Sequence, residues 1–247
     1  MKKAFVAALL IVTAIPLLIG VAALPPHGDP DTPVHTHISA RYLQDGREEA
    51  GADNIVTGVL LNYRGLDTAG EVTVIFTALM AGLAVLISHK KRREPDEGCD
   101  TLESPAEDAP VPVPVSPVVS FVVRLLAPFI AIFAIYVIVN GHVTPGGGFQ
   151  GGAILGAVFI ALTIVLGADR TRTLMPRLAQ PWMQGAALLT FVGVGIIGGA
   201  LTGYFLGFPA EASQHLAREL MMLALEAGIG LGGAAVFATL FLQMEAE

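Results

Sequence analysis

The sequence has few charged residues and one cysteine, and each shortage excludes a class of protein. Only 14% of its 247 residues are charged and 53% are hydrophobic, a balance that soluble single domains seldom show. The single cysteine, Cys99, excludes an intramolecular disulfide and any multi-cysteine metal or iron–sulfur site. We therefore predict a polytopic membrane protein without a cofactor.

Six apolar windows predict transmembrane helices. A span needs about 20 mostly apolar residues; five windows reach that length, and the sixth, Val72–Ser88, is shorter. No alternating strand pattern appears, and helices satisfy their own backbone polar groups in lipid. The predicted fold class is all-α, with spans in Ala4–Leu24, Val72–Ser88, Val118–Asn140, Phe149–Ala168, Trp182–Phe208 and Leu216–Leu242.

The first window allows two interpretations. Basic residues precede it and Val21-Ala-Ala-Leu-Pro25 ends it, which also fits a secretory signal peptide with small residues at its cleavage site. Because the apolar stretch is longer than a typical signal-peptide core, we favour a retained span.

Two basic clusters predict the orientation in the membrane. His89-Lys-Lys-Arg-Arg93 ends the short span, and Asp169–Arg177 carries three arginines after the fourth window. The positive-inside rule places both clusters in the cytoplasm, while the acidic stretch Pro25–Asp53 suits the outer face. With six spans, both termini are then cytoplasmic, and we expect a multi-pass protein of the inner (plasma) membrane.

A polar segment divides the chain into two predicted membrane units. Residues 94–117 are acidic and then Pro-rich, a composition typical of an extended linker. The predicted domains are 1–93 with two spans and an outer segment, the linker 94–117, and 118–247 with four spans. Most acidic residues behind the net charge of −7 lie in the two polar segments, and we expect no nucleic-acid partner.

The glycine-rich stretch Gly141–Gly152 joins the third and fourth windows. Gly146–Gly151 matches the dinucleotide pattern, but no strand precedes it, and Asp169, at the spacing of a ribose-binding acid, would lie across the membrane. No Gly-Lys-Ser/Thr follows, which excludes a phosphate loop. We interpret the stretch as a chain reversal at a membrane face, with Thr144-Pro145 ending the incoming helix. A four-residue repeat predicts a smooth strip for close helix packing at Gly148, Gly152 and Gly156.

Glu226 is the clearest candidate for ion chemistry, because a charge near the bilayer centre costs at least about 2.5 kcal/mol. It lies about 16 Å into the last span, near mid-depth. Glu219 precedes it by two turns on a stripe that continues through Gly230 and Gly233, and this stripe should face protein or water. Glu226 either binds Na⁺ or carries H⁺, or it forms an interhelical or intersubunit hydrogen bond; the sequence leaves both open.

Other polar residues lie near the membrane boundaries. Thr68-Ala-Gly-Glu71 is a capping-box pattern that predicts a helix start, although Asp67 and Glu71, beside Arg64, also fit a small ion-relay cluster. We interpret His142 as a structural residue more readily than as a proton carrier. No metal site is predicted, because three outer histidines are too scattered to indicate one: His27, His35 and His37.

Enzyme activity is not expected. Serine and cysteine are absent from the middle of the spans, so an intramembrane hydrolase would lack its nucleophile.

The glycine-rich stretch carries a family resemblance. Phe129–Leu166 resembles the signature of the B subunit of the Mrp (multiple resistance and pH) multisubunit Na⁺/H⁺ antiporter, also called the MnhB family. Leu225–Leu231 is similar to that family's last-helix pattern, and the resemblance covers most of Val118–Leu242. The signature positions are Gly141, His142, Pro145, Gly146, Gly147, Gly148, Gly151, Gly152 and Gly156.

The first unit resembles a different component of such complexes. Asn54–Glu71 is similar to the C-terminal segment of the large Mrp A-type protein, and a small separate protein of this type occurs in membrane-bound hydrogenases. The chain thus resembles a fusion of that segment with an MnhB protein.

The resemblance implies a non-catalytic membrane subunit that packs beside large antiporter-like subunits and a small C-type subunit, in a complex that exchanges Na⁺ for H⁺. By analogy, Glu71 and Glu226 lie on or near an ion route. The long antiporter-like body of the A-type protein is missing, which also fits a membrane-bound hydrogenase-like respiratory complex, or a purely structural adaptor in either complex. An independent channel is disfavoured, because the two units show no inverted repeat.

Overall fold

The computed structural model describes residues 2–93, 115–176, 179–209 and 211–244, and these residues contain helices and no β-strands. Residues 94–114 of the predicted linker, including Cys99, lie outside this set, as does Arg177. The α-helices in chain order are α1 Lys2–Ala22, α2 Ser39–Gln44, α3 Gly46–Ala50, α4 Ile55–Gly58, α5 Gly65–Arg93, α6 Pro117–Val139, α7 Gly148–Leu166, α8 Ala168–Leu174, α9 Ala179–Thr202 and α10 His215–Met244.

Six helices are long and apolar enough to cross a membrane, which confirms the predicted all-α fold with six candidate spans. Two window boundaries need correction. The second candidate span runs over Gly65–Leu86 and so begins seven residues before Val72. The fifth ends at Thr202 and not at Phe208, because the chain turns at Gly203 and Leu206, whose φ angles are +85° and +58°.

The chain divides into two compact units, Met1–Gln44 and Asp45–Glu247. The first contains α1, a π-helical turn at Val34–Ile38 and α2. The second contains α3 to α10, so α5 packs with the helices that follow it. The domain division at residues 94–117 stays a prediction from the sequence.

Within the second unit, α10 is the central helix. It contacts α5, α6, α7 and α9, and half of its span is buried in the protein, a larger share than in any other candidate span. Its contacts with α7 follow the glycine strip. Added Cβ atoms at Gly152 and Gly156 would lie 2.7 Å from the Gly230 carbonyl oxygen and 2.9 Å from the Phe237 Cβ. The predicted close packing is therefore present, with α10 as the partner helix.

The reversal between α6 and α7 begins at the predicted window boundary, but a different residue ends the helix. α6 ends at Val139, where Asn140 caps the helix by donating its backbone and side-chain N–H groups to the Tyr136 carbonyl oxygen. Thr144-Pro145 therefore does not end the helix, since it lies within the turn that Asn140 has already started. Gly146 and Gly147 complete the reversal with φ angles of +138° and +143°, which favour glycine.

A short segment before α5 packs against this reversal. It consists of α4 and the π-helical turn Val59–Tyr63, and it is anchored by Asn54. The Asn54 side-chain amide donates to the carbonyl oxygens of Gly141 and Thr144 at 2.8 and 2.9 Å, and its oxygen accepts from Val56 N–H to cap α4. The Asn54 backbone N–H also donates to the His142 carbonyl oxygen at 3.0 Å. One residue thus fixes the segment to a turn about ninety positions later in the chain.

The capping-box interpretation of Thr68 and Glu71 is wrong. α5 already begins at Gly65, so Thr68 lies inside the helix and not at its N-cap. The Thr68 hydroxyl donates to the Leu60 carbonyl oxygen at 2.7 Å and joins α5 to the π-helical turn before it.

Replacing Gly152 by Ala should destabilise the protein by about 1–3 kcal/mol, because the added methyl group meets the α10 backbone. The measurement is the midpoint of thermal unfolding of the purified protein in detergent. Gly193→Ala is the matched control, since an added Cβ there has no atom within 4 Å. Equal midpoints for the two variants would contradict the packing described here.

Replacing Asn54 by Leu should cost roughly 3 kcal/mol, because three side-chain hydrogen bonds disappear and the Thr144 carbonyl group loses its donor. The same unfolding measurement tests this. Asn62→Leu serves as control because the Asn62 amide makes one bond, of 3.3 Å, to the Glu49 carbonyl oxygen. A loss no larger than that of the control would show that Asn54 does not anchor the turn.

Candidate functional site

The Glu226 carboxylate is buried in the second unit, with its residue 1% exposed. Neither carboxylate oxygen has a hydrogen-bond partner in the described part of the chain. It lies against the reversal between α6 and α7, where an added Cβ on Gly141 would collide with both oxygens. Glycine at this position therefore allows the backbone to approach the carboxylate.

Side-chain oxygens from three helices converge beside Gly147. From the position of an added Gly147 Cβ, the Gln150 Oε1, the Glu226 Oε1 and the Thr57 Oγ lie 3.5, 3.9 and 4.0 Å away. These residues belong to α7, α10 and α4. They line a small cavity with about 30 Å³ of space for the centres of water molecules, enough for one or two waters.

The chemistry of this cavity follows from its donors and acceptors. The Thr57 hydroxyl donates to the Gly141 carbonyl oxygen at an oxygen–oxygen distance of 2.8 Å, so the Thr57 hydroxyl oxygen retains lone pairs for another partner. The carboxylate supplies up to one negative charge, and no cation lies close enough to pair with it among the described residues. The site can therefore take up a proton on Glu226 or hold a small cation through oxygen ligands.

A larger polar chamber lies at the same reversal, where His142 and Val143 contribute to its lining. It offers about 230 Å³ to the centres of water molecules. One ion pair and one histidine–carboxylate contact line it: Arg47 Nε lies 2.6 Å from Asp53 Oδ1, and His215 Nε2 lies 3.6 Å from Glu219 Oε1. Gly141 contacts the Glu226 carboxylate while the next residue, His142, lines the chamber, so the same reversal borders both the carboxylate and the chamber.

Arg218 and His142 keep unused polar atoms at this chamber. Arg218 is 7% exposed, and its guanidinium donates one hydrogen bond, of 3.3 Å, to the Glu48 carbonyl oxygen. Its Nε and the His142 Nδ1 are buried without a hydrogen-bond partner in the described chain. Because buried polar atoms are usually bonded, ordered water in the chamber would satisfy both.

The structure brings some predicted residues together and separates others. Glu219 and His142 both line the polar chamber. Glu219 lies on α10, two helical turns before Glu226. Asp67 lies elsewhere, where its carboxylate pairs with Arg64 Nε at 2.6 Å. Glu71 is exposed on α5 and makes no hydrogen bond or ion pair with the described residues. Asp67 and Glu71 are not among the residues that line the Glu226 cavity, although Thr68 of the same helix is; their ion-relay role stays a prediction.

Several polar residues near this site were missed by the sequence analysis. Two of them, Thr57 and Gln150, line the Glu226 cavity. The others form a buried group of polar side chains between α9 and α10. There, Gln184 Nε2 donates to the Thr239 Oγ, and the Thr239 hydroxyl lies in hydrogen-bond contact with Gln180 Oε1, both at 3.2 Å. A small cleft lined by Gln184, Phe149 and Ile229 lies between this group and the Glu226 cavity. Glu226 was identified as an ionisable residue within an apolar window; the same search extended to uncharged polar residues would have found Gln184 and Thr239.

Two family models match the chain. The model described as a domain related to the MnhB subunit of Na⁺/H⁺ antiporter matches residues 118–242, and the MbhE model, which describes one of the MBH subunits, matches residues 11–104. These matches confirm the predicted fusion of an MnhB-like part with a segment of the hydrogenase type, here called the MbhE-like segment.

Relatives and solved structures agree with this assignment. The chain is 28% identical over 201 residues to a probable K⁺/H⁺ antiporter protein of Rhizobium meliloti that combines the A and B subunits, covering 74% of this chain and 18% of that protein. A chain in the structure of an archaeal respiratory membrane complex, the membrane-bound sulfane sulfur reductase, aligns with a TM-score of 0.65 and 30% identity, over 99% of this chain and 98% of the other.

The Mrp complex from Dietzia sp. shows the same fold, with a TM-score of 0.61 and 23% identity over 98% of this chain and 26% of the matched chain. The chain spans 18% to 59% of the lengths of the curated relatives it matches.

The candidate spans and the family agree on a multi-pass membrane protein. Since the first family model covers residues 118–242, half of the sequence, the chain belongs to the family of the domain related to the MnhB subunit of Na⁺/H⁺ antiporters.

Proposed function

We propose that this chain is a non-catalytic integral membrane subunit of an Mrp-type multisubunit cation/H⁺ antiporter module, and that Glu226 takes part in ion movement. The observation that carries the proposal is the buried Glu226 carboxylate, whose oxygens have no hydrogen-bond partner in the described part of the chain, beside a small cavity that Thr57 and Gln150 also line. An ionisable group at this depth is costly. A purely structural glutamate would be expected to use its oxygens in hydrogen bonds to neighbouring helices.

The polar chamber is the proposed aqueous entrance to Glu226. It is lined by charged and imidazole groups and is large enough for several waters. From the chamber, the Gly141–His142 backbone is the barrier to the carboxylate. On the other side of Glu226, the Gln184, Thr239 and Gln180 side chains provide polar atoms toward the opposite membrane face. Irregular backbone beside an ion site in the membrane is a recurring arrangement in transporters.

Glu71 is proposed to contact a neighbouring subunit. It lies within the candidate span of α5, yet its side chain is exposed in this chain. Ionisable residues within spans rarely face lipid, because the hydrocarbon cannot solvate them. A large antiporter-like subunit or the small C-type subunit would cover this face of α5, and Asp67 and Arg64 would lie at the edge of that contact.

The same module in a hydrogenase-like respiratory complex is the second candidate function. The sulfane sulfur reductase chain is matched over nearly its whole length, whereas the Mrp complex chain extends far beyond the match. A respiratory complex therefore contains a subunit of about this length and fold as a separate chain. Identification of the chains that co-purify with this protein decides between the two assemblies.

Glu226→Gln should lower Na⁺/H⁺ or K⁺/H⁺ exchange by about a hundred-fold or more, as expected when a proton-carrying group is lost. Exchange is measured as cation-dependent dequenching of a pH dye in vesicles that contain the assembled complex. Glu211→Gln is the matched control, because Glu211 is exposed outside the candidate spans. Normal exchange by an intact complex with Glu226→Gln would leave this chain with a structural role.

The proposed orientation can be checked with the natural sequence. Cys99 is its only cysteine, and the basic cluster at residues 89–93 predicts that it lies in the cytoplasm. A membrane-impermeant maleimide should label the chain in inside-out vesicles and not in intact cells. A Cys99→Ser variant shows the background labelling. Labelling in intact cells would reverse the proposed topology.

A further inference from the structure

An open apolar groove follows α6 and α7, separate from the cavities around Glu226. It offers about 560 Å³ and includes Arg124. On α6 the groove is lined by small or compact residues, Ala127, Pro128 and Ala131, and on α7 by large ones. The large side chains are Leu155, Val158, Phe159, Leu162 and Leu166. Short side chains opposite long ones leave a trough between two helices that are packed together.

The groove has the length of one membrane leaflet. From Leu155 to Leu166 it covers eleven residues of rise, about 16 Å, which is close to half of the roughly 30 Å hydrocarbon core. It begins at the membrane face where α6 starts and α7 ends, where Leu174 of α8 contributes to the lining. A helix of a partner protein would be expected to follow the full membrane thickness, whereas an acyl chain fills one leaflet.

Arg124 provides a charge at this groove without a partner in the described protein. It is the only charged residue of α6, it is exposed, and it makes no hydrogen bond or ion pair with any residue that the structure describes. Pro128, one turn later, has no N–H group, so the Arg124 carbonyl lacks its usual helical donor. A guanidinium within an apolar span is costly unless it reaches the interface or meets an anion.

The adjoining helix adds positive charge at the same membrane face. α8 carries Arg170 and Arg172 directly after α7 ends. Asp169 lies 3.5 Å from Arg172, which leaves Arg170 and Arg124 uncompensated within the described chain. Basic pockets between transmembrane helices bind the headgroups of anionic lipids.

We propose that this groove binds one anionic phospholipid, with an acyl chain along α6 and α7 and the phosphate on the Arg124 guanidinium. The small residues of α6 make room for the chain, and the depth of Arg124 sets the position of the headgroup. The site is independent of Glu226 and of the ion chemistry proposed above.

Photo-crosslinking in membranes that contain the assembled complex tests the proposal. A phosphatidylglycerol with a photoactivatable acyl chain is added, and the adducts are mapped by mass spectrometry. Adducts are expected on residues 127–131 and 155–166, and they should be displaced by unlabelled phosphatidylglycerol but not by phosphatidylcholine. Arg124→Gln should lower this labelling about five-fold, while Arg124→Lys, which retains the charge, should preserve most of it.

Two further variants separate the effect of the charge from that of the trough. Lys3→Gln removes an exposed cation that does not line the groove and should leave labelling unchanged, and Ala131→Phe should block the trough with the charge still present. Equal labelling by a phosphatidylcholine probe would show unselective surface lipid and overturn the proposal. An absence of groove adducts when other helices are labelled would show that a protein partner covers the groove, which also overturns it.

Discussion

The close approach of α7 and the preceding reversal to α10 is the constraint on which the rest of the structure depends. Added Cβ atoms at Gly148 and Gly152 would lie 2.5 Å from the Glu226 carbonyl oxygen and 2.7 Å from that of Gly230. Without side chains there, backbone meets backbone, and the Glu226 carboxylate is enclosed by the turn. The glycines of the predicted family signature therefore also allow the close packing around the Glu226 carboxylate of this chain.

This burial connects packing to function. In lipid, helices associate through van der Waals contacts and hydrogen bonds and not through the exclusion of water. A buried carboxylate whose two oxygens make no hydrogen bond is unfavourable there unless it binds a proton or a cation. The short segment held by Asn54 completes the enclosure and contributes Thr57. The MbhE-like segment and the MnhB-like part thus form one site, and joining them in one chain keeps both halves of that site together.

Charged groups elsewhere in the spans point outward to different surroundings. Glu71 on α5 and Arg124 on α6 are both exposed, and the physical cost of a charge in hydrocarbon favours a polar or charged partner for each. We assign a protein neighbour to Glu71 and an anionic lipid to Arg124, because the groove beside Arg124 has the length of one leaflet. The surface of this protein therefore carries two contacts of different chemistry.

The sequence by itself determined the class of the fold, the number of candidate spans, the glycine strip and the choice of Glu226, because hydropathy and helical spacing act over neighbouring residues. It misplaced the start of α5 and the end of α9, and it assigned the end of α6 to Thr144-Pro145 although Asn140 caps that helix. Only the tertiary structure decided that Thr57, Gln150 and Glu226 share a cavity while Glu71 faces outward. These residues come from helices far apart in the chain, and no local pattern records which helix faces pack together.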